Sequence, residues 1–187
     1  MSTDTISEKN LVVEVKIPTG VTVSKDETQI QIGGKLGILK KDLSRLPVRV
    51  DIIGDSVKIF SHRRRKRDFA IINTTKSIVN NMIRGVETGY TYRLKIVFAH
   101  FPINVKVKGS EVHVENIFGE RAPRIARIVG DSTKVKVSGD DVSVSGPSIE
   151  DVSQTAANIE SSTKIKDKDQ RVFLDGLYIY ARDVGMS

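Results

Sequence analysis

The stretch Lys164–Arg182, KIKDKDQRVFLDGLYIYAR, carries residue types at a spacing suited to holding phosphates. Four cations, Lys164, Lys166, Lys168 and Arg171, crowd one short polar segment, and the apolar run Leu177-Tyr178-Ile179-Tyr180 follows Asp175-Gly176. A charged, sterically open loop fastened to a stiff strand presents its cations at fixed positions, where they contact phosphate oxygens without reading bases. A solvated charged turn closing a final strand has the same composition, and spacing alone weighs the two about equally. Gly176 suits a positive backbone dihedral, close approach of a ligand, or a plain turn. Asp175 is read as hydrogen-bonding that turn, and Phe173 and Tyr178 as core side chains.

Elsewhere the residues offer little reaction chemistry. His62, His100 and His113 fall in three separate segments with no metal-ligand spacing. Gly33-Gly34-Lys35-Leu36-Gly37 lacks the Walker spacing and its Lys-Ser/Thr ending, so it reads as a hairpin turn. No serine sits in a Gly-x-Ser-x-Gly elbow. There is no cysteine, which excludes disulfides, thiolate nucleophiles and Cys-based zinc sites. The reading is a binding protein without cofactor or small-molecule substrate, not an enzyme.

Charge points to a polyanion. The 187 residues hold 30 Lys+Arg against 23 Asp+Glu, a net charge of +7, with a pI near 9.6. The excess lies in the first half, largely in His62-Arg63-Arg64-Arg65-Lys66-Arg67. That run is read as an exposed connecting loop, whose Arg63, Arg64 and Arg65 either contact RNA or a neighbouring protein or are solvated. In the second half, Arg121, Arg124, Arg127, Lys134 and Lys136 share a stretch whose only acids are Glu120 and Asp131. Arg121, Arg124 and Arg127 are candidates for a second RNA-facing edge, with a solvated loop as the alternative. Release of counterions from nucleic-acid phosphates favours such patches. Aromatic content of 5% with no Trp argues against a base-stacking platform. Hydrophobic content of 39% suffices for a packed core. No run approaches the roughly 18 apolar residues of a membrane helix, and the polar start MSTDTISEKN is unlike a secretory leader. A cytoplasmic protein is expected.

The elements that must position these cations recur along the chain. Val21-Thr-Val23, Ile30-Gln-Ile32 and Gly37 answer to Ile103–Val107, Val112-His-Val114 and Gly119 at an offset of 82. Val48-Arg-Val50 and Val57-Lys-Ile59 answer to Val135-Lys-Val137 and Val142-Ser-Val144, with offsets of 87 and 85. Each set then runs into one helix. Asp68–Arg84 has Ile72, Ile78, Val79, Met82 and Ile83 near the helical period, with Gly85 as its stop. Ser148-Ile-Glu-Asp151 opens the other, whose buried stripe is Val152, Ala156 and Ile159. Short period-2 segments punctuated by Gly imply an α+β class with two tandem duplicated domains, each an antiparallel β-sheet packed against one main helix. The expected division is a loose tail over 1–10, a first domain over 11–93 and a second over 94–187.

Three stretches carry a resemblance: Asn81–Tyr90 (NMIRGVETGY), Ala99–Val105 (AHFPINV) and Arg171–Tyr178 (RVFLDGLY). Together they resemble the archaeal and eukaryotic branch of the large-subunit ribosomal protein six family, over about Val12 to Arg182. Ile165, Lys168 and Arg182 fit the branch's signature, while Ser161 stands where that signature begins with Gln. The short end after Arg182 leans archaeal. The resemblance implies a structural component of the large ribosomal subunit, bound to 23S-type rRNA near the stalk base and the RNA loop engaged by translational GTPases. It also implies contacts with neighbouring ribosomal proteins and makes the second domain the principal RNA binder. In the family's terms Lys164, Lys166, Lys168, Arg171 and Gly176 belong to that contact. The competing class is a protein–protein adaptor built from tandem α+β domains.

Overall fold

The computed structural model describes residues 11–61, 65–165, 169 and 171–186. Its contacts divide the chain into two units, Met1–Glu87 and Thr88–Ser187. The first holds β1 (Leu11–Lys16), β2 (Thr22–Asp26), β3 (Gln29–Gly34), β4 (Gly37–Asp42), β5 (Arg49–Ile53), β6 (Ser56–Ser61) and α1 (Lys66–Glu87). The second holds β7 (Tyr90–Val97), β8 (Asn104–Lys108), β9 (Glu111–Glu115), a 3-10 turn (Ile117–Gly119), β10 (Arg124–Arg127), β11 (Lys134–Ser138), β12 (Asp141–Gly146), α2 (Ile149–Ser162) and β13 (Gly176–Val184).

Alternation drives the strands and the 3.6-residue period the helices. In β3, Ile30 and Ile32 are fully buried while Gln29 faces out. In α1, Ile72, Thr75, Val79, Met82 and Val86 form one buried stripe. The Thr75 hydroxyl donates to the Ile71 carbonyl, so its burial leaves no unmet donor. α2 begins as its sequence implies, with Ser148 Oγ accepting from the Asp151 N–H, and Val152, Ala156 and Ile159 are buried. Each helix covers its own core: Val15, Ile32, Val57 and Ile59 under α1, Leu94, Val114, Val144 and Leu177 with α2.

The α+β duplication is present, with the antiparallel strands of each unit falling into two sheets rather than one. The orders β1-β6-β5 and β2-β3-β4 recur as β7-β12-β11 and β8-β9-β10, and β13 is added beyond β7. Register sharpens the repeat. Val23 opposite Ile32 becomes Val105 opposite Val114, each 82 residues on. Val50 opposite Ile59 becomes Val135 opposite Val144, each 85 on. The match of Val48-Arg-Val50 to Val135-Lys-Val137 is therefore corrected by two residues, to Val50-Asp-Ile52. A two-residue slip keeps every side chain on its face, so alternation alone cannot detect it.

Two boundaries also shift. A division at 93/94 would cut β7, which hydrogen-bonds to β12 on one side and β13 on the other and so belongs wholly to the second unit. α1 runs to Glu87 with Gly85 buried inside it, and the left-handed residue that follows is Gly89, φ +78°. The glycine-rich turn at Gly33–Gly37 packs on this helix end. Leu36 N–H donates to the Val86 carbonyl at 3.0 Å, and a Cβ on Gly34 would lie 2.8 Å from both that oxygen and Val86 Cγ2. Gly34→Ala is expected to cost about 1–3 kcal/mol by overpacking, seen as a lower midpoint for the first unit in thermal unfolding.

Candidate nucleic-acid interface

The cationic segment hangs between α2 and β13, and both ends are held. α2 closes at Thr163, whose hydroxyl donates to the Glu160 carbonyl and accepts from the Leu177 N–H at 3.0 Å. Glu160 Oε1 accepts from the Ile179 N–H at 3.0 Å. Two outward backbone donors of edge strand β13, those of Leu177 and Ile179, are thus taken by the end of the helix, which covers the first half of that edge. Gly176 sits buried at the first position of β13, where a Cβ would come within 3.3 Å of Thr163 Oγ1. It packs against Thr163 at the base of the segment.

Asp175 fixes the same end from the other side. Its carboxylate is 1% exposed and accepts from the N–H groups of Ala99 and His100, at 3.1 and 3.2 Å, and from His100 Nδ1 at 3.2 Å. Burial by itself would raise the carboxyl pKa. The His100 ring and the two backbone donors outweigh it and hold the group below the ordinary aspartate value. The hydrogen bonds expected for Asp175 therefore exist, but to the turn after β7 rather than to its own. Above it, Phe173 stacks on His100 at 5.1 Å between centroids and meets Phe118 edge-on at 5.6 Å. Phe118 reaches that position from a 3-10 turn with φ +50°, next to Asn116 at φ +65°.

Between these anchors, Asp169 organises the descent. Its carbonyl accepts from the Val172 and Phe173 N–H groups, and its Oδ1 accepts from the Arg171 N–H at 2.9 Å. Lys164 and Arg171 point into solvent with no ion-pair partner among the described residues. Lys166 and Lys168 lie outside the described residues, as do Arg63 and Arg64. Arg65 is exposed at the start of α1, where its carbonyl receives the Asp68 and Phe69 N–H groups.

The three arginines of the expected second edge separate. Arg124 grips Glu120 with two bonds, 2.6 and 2.9 Å, and sends Nη1 to the carbonyls of Ser162 and Lys164 at 3.1 Å each. The Glu120 bonds raise its pKa and hold the Glu120 carboxyl low. Arg124 is thus a clamp on the start of the cationic segment. Arg121 and Arg127 are exposed, and the Arg127 carbonyl receives Asn158 Nδ2 at 3.0 Å. Arg124→Leu is expected to loosen the segment, raising amide exchange at Lys164 and Ile165 while the α2 core stays protected.

A profile of the family described as Ribosomal protein L6 matches residues 17–89 and 101–176, one segment for each copy of the repeat. The chain belongs to the ribosomal protein L6 family. Relatives named large ribosomal subunit protein uL6 bear this out. The one from Ignicoccus hospitalis is 44% identical over 178 residues, covering 91% of this chain and 94% of its own. That from Aeropyrum pernix is 44% identical over 176 residues, covering 94% and 96%. That from Haloarcula marismortui is 42% identical over 167 residues, covering 89% and 93%. By family this L6 protein is a ribosomal protein and not an enzyme.

Some of the L6 site escapes a sequence reading. Tyr178, expected in the core, is 42% exposed while its neighbour Leu177 is 0% exposed. Its hydroxyl donates to the Leu174 carbonyl. Tyr180 also faces out, donating to Asp141 Oδ1, whose other oxygen holds Lys95 Nζ at 3.2 Å. Val172 and Leu174 are exposed beside the cations. A cavity of about 480 Å³ opens there, lined by Lys164, Ile165, Phe173, Leu174 and Tyr178. No helix among the described residues is long and apolar enough to cross a membrane.

Proposed function

We propose that this L6 family protein is a structural component of the large ribosomal subunit that binds large-subunit rRNA through the segment Lys164–Arg171 of its second unit. The observation that carries the proposal is the anchoring of that segment at both ends. Thr163 and Arg124 hold its start, Asp175 and Phe173 its end, and Lys164 and Arg171 stay exposed between them. Lys164 and Arg171, next to these anchors, lose little freedom on meeting phosphates, so their charge acts on affinity with little ordering cost. The relatives' names supply the large subunit, and the family resemblance supplies the stalk base, the GTPase-engaging RNA loop and the ribosomal protein neighbours. A cytoplasmic site of action follows from that assembly.

The chain should co-sediment with large subunits and leave them when the RNA is digested. Retention of the protein in a protein-only complex after nuclease treatment would favour an adaptor and contradict this function. Binding to isolated large-subunit rRNA should weaken steeply with salt, since each phosphate contact contributes a slope of about −0.9 on a log–log plot for duplex-like RNA.

A further inference from the structure

The two units differ at one sheet edge. In β7, Ile96 N–H donates to the Asp140 carbonyl at 2.8 Å, so Tyr92, Leu94 and Ile96 turn their backbone groups toward β12. The alternate residues Thr91, Arg93, Lys95 and Val97 turn the other way and pair with Asp183, Ala181, Tyr178 and Gly176 of β13. β1 repeats this geometry. Ile17 N–H donates to the Asp55 carbonyl at 2.9 Å, which directs Val13 and Val15 toward β6 and leaves Val12, Glu14 and Lys16 facing outward. Val13, Val15 and Ile17 each precede Tyr92, Leu94 and Ile96 by 79 residues. Yet β1 ends its sheet, and among the described residues no strand lies on its outer side.

We infer that the outer edge of β1 is a docking site for an extended segment of a separate polypeptide, added antiparallel in the way β13 is added to β7. The chain itself shows what such an edge accepts, and three differences from β7 define the occupant. First, Pro18 stands where β7 has Val97, the residue at which pairing with β13 begins. Proline has no N–H, so the added strand is shorter than β13 and pairs over Val12–Lys16. Second, Leu11 and Val13, on the core-facing side of β1, are only half-buried. The occupant therefore carries apolar side chains at alternate positions, as β13 carries Leu177 and Ile179. Third, Arg93 pairs with Asp183 at 3.3 Å, whereas β1 has Glu14 at the equivalent position, opposite Lys58 of β6, exposed and with no ion pair among the described residues. The charge is reversed, so the occupant carries a lysine or arginine where β13 carries an acid.

Amide hydrogen exchange on the full chain tests this, with two short synthetic peptides as probes: valine alternating with lysine, and valine alternating with glutamate. In the free chain, Val12, Glu14 and Lys16 should exchange far faster than Val13 and Val15. Excess lysine peptide should slow those three amides by about tenfold or more, and the glutamate peptide should have much less effect. Glu14→Lys should invert that preference while leaving the Val13 and Val15 protection unchanged. Slow exchange at Glu14 in the free chain would overturn the inference, because the edge would already be covered. So would equal effects of the two peptides, or protection that appears with chain concentration alone, which would make a second copy the occupant. None of these outcomes depends on the rRNA assignment, which the sedimentation and nuclease experiments decide separately.

Discussion

Replacing Lys164, Lys166, Lys168 and Arg171 together with serine should flatten the salt dependence of rRNA binding while the fold persists. If all four meet phosphates, the slope of log K against log salt falls in magnitude by about 3 to 4, at about 0.9 per contact. Affinity at low salt should drop by orders of magnitude and converge with the wild type at high salt. Lys164 and Arg171 are exposed and unpaired among the described residues, so their removal leaves no buried charge behind. Thermal unfolding should move little. An unchanged slope would locate the phosphate contacts elsewhere, with Arg121, Arg127, Lys134 and Lys136 as the next positions to test.

Asp175→Asn should give the complementary result. The amide presents an N–H₂ group toward a site built from three donors, so at least one bond is lost and one donor pair is opposed. A buried acceptor network broken this way costs about 2–3 kcal/mol. The second unit should melt earlier, and the Phe173–His100 stack should loosen. Affinity for RNA should fall through lost pre-organisation while the salt slope is retained, since every cation is still present. Charge loss changes the slope, and anchor loss changes the intercept. Acid should mimic the substitution. The Asp175 pKa is lower in the fold than in the unfolded chain, where an aspartate titrates near 3.9. Its contribution to stability is complete above that value and disappears as pH falls through the depressed folded value. Acid titration of the second unit should therefore show a step below about pH 4 that is missing in Asp175→Asn.

The repeated strands and helices were legible because alternation and the helical period are local. Their exact register was not, since a slip by two residues leaves the pattern intact. The same locality explains the misplaced tyrosine. Leu177-Tyr178-Ile179-Tyr180 reads as a continuous apolar run, but a strand with one face on α2 buries only every second residue. The arginines at 121, 124 and 127 look like one edge on paper. Within β10, however, residues three apart point to opposite faces, and Arg124 turns to Glu120 and the end of α2. Asp175 and His100 each stand inside a stretch quoted for the resemblance, yet neither stretch points to the other. No window of sequence joins residues 75 positions apart. The signal available was that both lay in segments carrying the family resemblance.

The placement of β13 bears on how the chain matures during its own synthesis. The first unit has all its strands and α1 before residue 88 is made, whereas the four-stranded sheet of the second waits for residues 176–184 to leave the translating ribosome. Until then β7 has a vacant side, and Thr163 and Glu160 have no strand to receive. A nascent polypeptide released early would carry the cations without the scaffold that aims them.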